Sequence, residues 1–327
     1  MAIRHTLTSR RSDYYDERIT SRIRRDNASS LPYEVTLENT VQSHDEISRK
    51  LQVLAGYRAA LNQYKSRREL ARISWVTWIV TLGTITTWCY TASQIALASG
   101  AHNLSDVITN ILANAINIQQ NDTLATILIT YGAKDNSLIQ AGQYWRFVTP
   151  IFLHVNLLHI ALNMLNFFIL GVFLERLAGH LRFLLIYLVT GIISIIASFY
   201  FAPQEISVGA SGAIFGLVGA YSIFVLAHRK ALRGGGIPAL LWLVCIIGAN
   251  LSVGFFIAAV DNFAHIGGLL SGFLLGWWFM PRYVQAPGGE KTSWIDTHSL
   301  SRRWPLALLT ILGTILLAMI ALHFTGG

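Results

Sequence analysis

Seven stretches of this 327-residue chain contain no Asp, Glu, Lys or Arg: 73–105, 147–174, 183–204, 206–228, 234–260, 262–281 and 304–327. Each can hold the roughly 20 apolar residues that a helix needs to span a bilayer. One such run could be a buried helix of a soluble domain. Seven in series predict an all-α polytopic membrane protein. Its expected plan is a six-helix core over 73–280, a linker over 281–303, and a seventh helix with a short tail over 304–327. Residues 1–72 form a separate extension. Residues 1–44 read as irregular. From 45 to about 68, Ile47, Leu51, Leu54, Leu61 and Tyr64 recur at helical spacings.

The first membrane helix is expected over about 74–95, followed by a long connection over 98–146. Within it, VITNILANAI (107–116) puts Val107, Ile108, Ile111, Leu112, Ala115 and Ile116 on one helical face, the pattern of a helix lying in the membrane interface. LATILITY (124–131) is apolar but too short to span. Gly142 and Pro150 argue against one continuous helix through Trp145 and Arg146. Arg146 is expected to anchor in the headgroups, with Trp145 at the aromatic interface.

Composition agrees with a membrane protein. Hydrophobic residues make up 53% of the chain and charged residues 13%, about half the charged share of an average soluble protein. The first 20 residues lack the apolar core of a signal peptide. Residues 1–72 hold 14 basic and 9 acidic residues, which fits a cytoplasmic extension. With the N-terminus inside, the later inside segments carry Arg176, Arg182, Arg229, Lys230, Arg233, Arg282, Lys291, Arg302 and Arg303. The outside segments carry only Lys134 and Arg146, so the cation bias supports this orientation. It also accounts for the net charge of +8 without a nucleic-acid partner. Cys89 and Cys245 both lie in expected spans and have no metal-site spacing.

Alternating the spans places several polar side chains at one depth. Ser211 falls near the outer end of the fourth helix and His265 at the outer end of the sixth. His159 and Asn163 share a face near the start of the second. Burying such groups without partners is costly, so a shared polar cavity open to the outer side is expected. Gly212, Gly216 and Ala220 form a small-residue row on the fourth helix, and Ala264, Gly268 and Gly272 another on the sixth. These rows can serve packing alone. They also permit the Ser–His approach of about 3 Å that nucleophilic catalysis requires. His265 could then act as base for Ser211, with Asn163, His159 and backbone N–H groups facing the oxyanion. Asp261, one turn before His265, could orient it or simply lie in the outer loop. A Ser–His dyad is the simpler reading.

Other chemistries fit less well. GASGA (209–213) places its second glycine one position early for the hydrolase elbow G-x-S-x-G. No H-E-x-x-H occurs. His154, His159 and His265 lack an evident fourth zinc ligand. A proton-coupled transporter would need an ionisable exit route in the inner half.

The matching pieces are WR (145–146), HVNLLHIALN (154–163), GASG (209–212) and AHIGGLLSG (264–272). Through them the chain resembles the rhomboid family of intramembrane serine proteases over roughly 74–280, with 304–323 resembling the extra helix of "six plus one" members. The resemblance implies Ser211 as nucleophile and His265 as base. It implies His159 and Asn163 as oxyanion-hole residues. His154, Trp145, Arg146, Phe215, Gly209 and Gly268 would be supporting residues. One departure is visible: the family's Glu-x-Arg is here Glu175-Arg176-Leu177, which alters one supporting ion pair. The resemblance further implies transmembrane-helix protein substrates with small residues at the cleavage point, contact with membrane lipid, and no metal or organic cofactor. It fits a bacterial plasma membrane. The competing reading is a non-proteolytic protein that binds or escorts single-span clients.

Overall fold

The computed structural model describes residues 73–116, 122–228, 261–285 and 294–325, with the single positions 238 and 241. The chain divides into two units, Met1–Arg58 and Ala59–Gly327, and every described residue belongs to the second. The expected helical part of the N-terminal extension and, apart from positions 238 and 241, the run 234–260 lie outside the described residues.

The long helices are α1 (Trp75–Ala98), α5 (Leu157–Ala178), α6 (His180–Phe201), α7 (Ser211–His228), α8 (Asn262–Phe279) and α9 (Leu300–Thr325). Between α1 and α5 lie the short helices α2 (Leu104–Ala113), α3 (Asp122–Thr130) and α4 (Asn136–Gln140). Two 3-10 turns follow, Tyr144–Phe147 and Thr149–Phe152. By length and composition, α5, α6, α7 and α9 could each cross a membrane. The α1 stripe of Thr77, Thr81, Thr84 and Thr91 is buried, and its polarity thins an otherwise spanning-length helix. Asn262, His265 and the glycines do the same to α8. Leucine, isoleucine and tryptophan side chains remain exposed along α1, α5, α8 and α9, as a lipid solvent allows. This is an all-α polytopic integral membrane fold.

One small exception is a hairpin in the expected linker. β1 (Tyr283–Gln285) pairs antiparallel with β2 (Trp294–Asp296), Tyr283 opposite Asp296. Arg182 Nη1 donates to Asp296 Oδ2 at 2.8 Å and to the His298 carbonyl at 3.1 Å. These bonds fasten the hairpin to the start of α6. Beyond it α9 packs along α6, and Ala321 is buried with Ile195, Ile196 and Phe199 of α6 and with Ile139 and Phe147 of the connection before α5.

The closest packing is between α7 and α8. A Cβ on Gly268 would overlap the Gly212 carbonyl, and one on Gly272 the Gly216 carbonyl. The two backbones therefore touch. Across the bundle, Glu175 on α5 is buried and caps the N-terminus of α1. Its carboxylate accepts from Val76 N at 3.0 Å, Thr77 N at 2.8 Å and Thr77 Oγ1 at 2.6 Å, and meets His180 Nδ1 at 2.5 Å. Helix N-termini carry unpaired N–H groups and a positive partial charge, which a carboxylate satisfies. The partners of this acid are thus Thr77 and His180, a network the shifted Glu-Arg spacing could not disclose.

Candidate active site

Ser211 is the first residue of α7, and His265 lies in the first turn of α8. Ser211 Oγ and His265 Nε2 are 2.7 Å apart. The distance follows from the glycine seam, because side chains on touching backbones start out close. One further contact sets the imidazole, and one sets its helix. Phe215, one turn after Ser211, stacks on it with ring centroids 4.5 Å apart and planes at 20°. Asp261 caps α8, its Oδ1 accepting from Ala264 N at 2.9 Å. His265 Nδ1 makes no hydrogen bond among the described residues, so the ring is oriented by stacking and burial. Asp261 shapes the helix start and forms no triad with it.

The second wall is the start of α5. Asn156 caps this helix through His159 N at 2.8 Å. His159 Nδ1 can accept from Val155 N at 3.5 Å, an arrangement that suits the tautomer with its proton on Nε2. That nitrogen faces Gly209, where an added Cβ would lie 2.9 Å from it. Gly209 also has φ +127°, a conformation that L side chains rarely adopt. Two constraints therefore demand glycine there. Asn163 Nδ2 donates to the His159 carbonyl at 2.9 Å, and its buried Oδ1 is without a hydrogen-bond partner among the described residues.

His154 is fully buried, and its ring meets that of His159 edge-on at 4.9 Å. Burial first, and His159 second, hold it well below the ordinary histidine pKa. It therefore stays neutral, and its Nε2 can accept from Ala210 N at 3.5 Å. Gly209 N donates to the Pro150 carbonyl at 2.8 Å. The two residues before Ser211 are thus tied to the segment before α5. The first N–H groups of α7 have no turn ahead of them to bond.

Trp145 is exposed and Arg146 is 4% exposed. Arg146 does not anchor in headgroups. Its Nη1 donates to the carbonyls of Ile129 at 2.7 Å and Ala133 at 2.8 Å, and its Nε to Gln143 Oε1 at 2.8 Å. The Ile129 carbonyl also accepts from Gly132 N at 3.1 Å, so the guanidinium adds a second donor there and supplies one to Ala133. The expected interfacial segment is α2, capped by Asn103, with no residue buried and Leu104, Ile108 and Leu112 exposed.

The structure therefore brings Ser211, His265 and Phe215 into one cluster. His154, His159, Asn163 and Gly209 form the adjoining wall, and Gly268 lies in the seam. Trp145 and Arg146 stand apart, in the connection that supports them. Sequence reasoning missed the caps Asn156 and Asp261, although an Asn or Asp directly before an apolar helical run signals such a cap. It also counted Lys134 only as an outer charge. Lys134 is wholly buried, and no sequence signal marks its carbonyl partners.

Known proteins share this part of the chain. The family model for the Rhomboid domain matches residues 141–282. The rhomboid protease GluP of Bacillus subtilis is 46% identical over 159 residues, covering 48% of this chain and 30% of that protein. RHOMBOID-like protein 6, mitochondrial, of Arabidopsis thaliana is 42% identical over 146 residues, covering 44% of this chain and 47% of that protein. The putative rhomboid protease YdcA of Bacillus subtilis is 37% identical over 135 residues, covering 41% of this chain and 66% of that protein. The chain spans less than half of the length of the first two. The span matched by the family model runs from Ala141, just ahead of Trp145, past the end of α8, and so contains every residue of the cluster. On that span the chain belongs to the rhomboid family.

Proposed function

We propose that this protein is an intramembrane serine endopeptidase that cuts client proteins in or near their transmembrane helices. The observation that carries the reading is the 2.7 Å contact between Ser211 Oγ and His265 Nε2. His265 Nε2 takes the hydroxyl proton as Oγ attacks the scissile carbonyl, then returns it to the departing amine. Water repeats the sequence on the acyl-enzyme. The negative charge on the carbonyl oxygen is met by Asn163 Nδ2, by His159 Nε2 and by the first N–H groups of α7. His154 and Gly209 hold the turn before Ser211, and Phe215 holds the His265 ring.

An intact substrate helix hides its carbonyls in hydrogen bonds, so segments that unwind cheaply are preferred. Small residues suit a cleft built against backbone. The site opens to the outer side and residues 1–72 face the cytoplasm, in a bacterial plasma membrane. Residues 73–280 form the catalytic core and 281–303 a cytoplasmic linker. Residues 304–327 form the seventh span and a short outer tail. No cofactor enters the chemistry.

The test uses the full chain in lipid, with a transmembrane substrate carrying a small residue near its outer end. Ser211→Ala and His265→Ala should each reduce cleavage to background while client binding survives. Asn163→Ala should cost about 2.7–4 kcal/mol of transition-state stabilisation, roughly the loss of one oxyanion donor. A fluorophosphonate should label Ser211 of the parent. Cleavage by Ser211→Ala at the parent rate would refute the nucleophile. Client binding with neither cleavage nor label would favour an escort protein.

A further inference from the structure

The mechanism above leaves a buried lysine unused. Lys134 is fully buried, yet its ammonium meets no carboxylate within ion-pair distance among the described residues. Its Nζ donates to the Ala202 carbonyl at 2.6 Å and to the Glu205 carbonyl at 2.8 Å. Its backbone forms an isolated antiparallel bridge with Ser207, Lys134 N donating to the Ser207 carbonyl at 3.0 Å. Ala202 is the C-cap of α6, where unpaired carbonyls and the helix dipole favour a cation. A buried cation is costly in a fold that could use apolar residues. Here it joins the connection before α5 to the nine residues, 202–210, that lead from α6 to the nucleophile.

The placement has consequences for the site. Arg146 holds the Ala133 carbonyl at 2.8 Å, so the residue before Lys134 is itself fixed. Asn136 Nδ2 donates to the Phe199 carbonyl at 2.8 Å, on the last turn of α6. On the other side, Ile206 and Val208 pack against the small cluster of Leu124, Leu128, Ala133 and Leu153. An apolar contact of that kind does not set register, whereas two carbonyls on one ammonium and a backbone bridge do. From Ser207 only three residues remain before Ser211, and two of them, Gly209 and Ala210, are bonded to Pro150 and His154.

We propose that Lys134 is a positioning residue: its ammonium fixes the path of residues 202–207, and thereby the height of Ser211 and of the first α7 N–H groups beneath the scissile carbonyl. This rests on the serine-peptidase reading. It predicts a defect in the chemical step with substrate binding preserved, because Lys134 touches the nucleophile's approach and not the cleft.

The experiment compares the parent with Lys134→Met, which keeps the length and removes the donors, and with Lys134→Gln, which keeps one donor group. All are full chains in lipid nanodiscs with intact thermal transitions. In Lys134→Met, kcat and the rate of Ser211 labelling by a fluorophosphonate should fall at least tenfold, with KM within about twofold of the parent. Lys134→Gln should be intermediate. Amide exchange should quicken at 205–210 and stay unchanged in α7 beyond its first turn. Parent-like labelling by folded Lys134→Met overturns the proposal. So does a loss of protection spread evenly over the helices, and so does failure of both variants to fold, which would make Lys134 a folding residue only. A parent that takes no label refutes the peptidase reading instead, and the exchange at 205–210 still decides whether Lys134 holds the segment.

Discussion

The α7–α8 seam and the connection between α1 and α5 both fix atoms of one site, by opposite means. The seam contains almost no polar chemistry. Glycines let two backbones touch, and dispersion over that contact sets the 2.7 Å between Ser211 and His265. The connection contains little regular structure. It is held by buried donors on carbonyls: Arg146 on Ile129 and Ala133, Lys134 on Ala202 and Glu205, and Thr149 Oγ1 on Gly132 at 2.6 Å. Helices satisfy their own backbone, so two of them can meet through bare glycine. A loop within a membrane protein cannot, and it must import donors. Steric changes should therefore break the seam, and charge changes the connection.

The largest effect is expected at the seam. Gly272→Leu places a Cβ into the Gly216 carbonyl, and no rotamer relieves a clash that starts at the backbone. The helices must separate, and the Ser–His contact goes with them. Overpacking costs roughly 1–3 kcal/mol where side chains can adjust, so the cost here should exceed that range. Fluorophosphonate labelling of Ser211 should drop to background and the melting temperature should fall. The control is Gly83→Leu on α1, where nothing lies within 4 Å of an added Cβ; it should label at the parent rate. A folded, fully labelled Gly272→Leu would mean that the seam does not set the contact.

A middle-sized effect is expected from Arg146→Met. The change roughly keeps volume, strands the Ala133 carbonyl and leaves the Ile129 carbonyl with Gly132 N alone. Bonds to a charged donor contribute about 1.5–3 kcal/mol each, so a loss of about 3 kcal/mol is expected. Cleavage should fall by about tenfold, a smaller drop than for the seam, because Ser211 and His265 still touch. Proteolytic nicking between 129 and 147 should report the loosened connection. If Arg146 lay in the headgroups, as its sequence context suggests, Arg146→Met would leave nicking unchanged.

How much of this was legible beforehand divides along the same line. Ser211 and His265 could be paired from sequence because they lie in charge-free helices, where alternation fixes side and depth. The glycine rows could be read because spacing by four marks a helix face. The connection could not be read. A carbonyl acceptor exists at every residue, so nothing in the sequence tells Lys134 that its partners lie 68 and 71 positions on. The same blindness turned Arg146 into a surface anchor. Glu175 was legible as the acid of a supporting ion pair, but its partners Thr77 and His180 required the tertiary fold. The hairpin 283–285 with 294–296 is too short for alternation to announce it. Lys134 and Arg146, counted in the sequence as the two outside charges, are both buried, which a count of charges does not show.

The smallest expected effect separates a carbonyl-held ammonium from an ion pair. Burial lowers the Lys134 pKa from 10.5 to about 8, outweighing the opposing pull of Asp261, Glu205 and Asp135. The folded state therefore releases this proton near pH 8, while the unfolded chain keeps it until about 10.5. Between those values the unfolded state binds more protons, so stability from this group rises with pH. Below pH 8 both states hold the proton and the contribution is flat. From pH 7 to pH 9 the gain is about 1 kcal/mol, since each pH unit over which the folded state binds one proton fewer is worth about 1.4 kcal/mol. A surface ion pair would raise the folded pKa, and stability would be lost as pH passed through that raised value. The measurement is unfolding in mixed micelles at pH 7, 8 and 9 for the parent and Lys134→Met, taken as a difference so that other groups cancel. The parent should gain on the variant by about 1 kcal/mol across the range. A parent that gains nothing on the variant between pH 7 and pH 9 would mean that a carboxylate, and not the carbonyls of Ala202 and Glu205, governs the charge on Lys134.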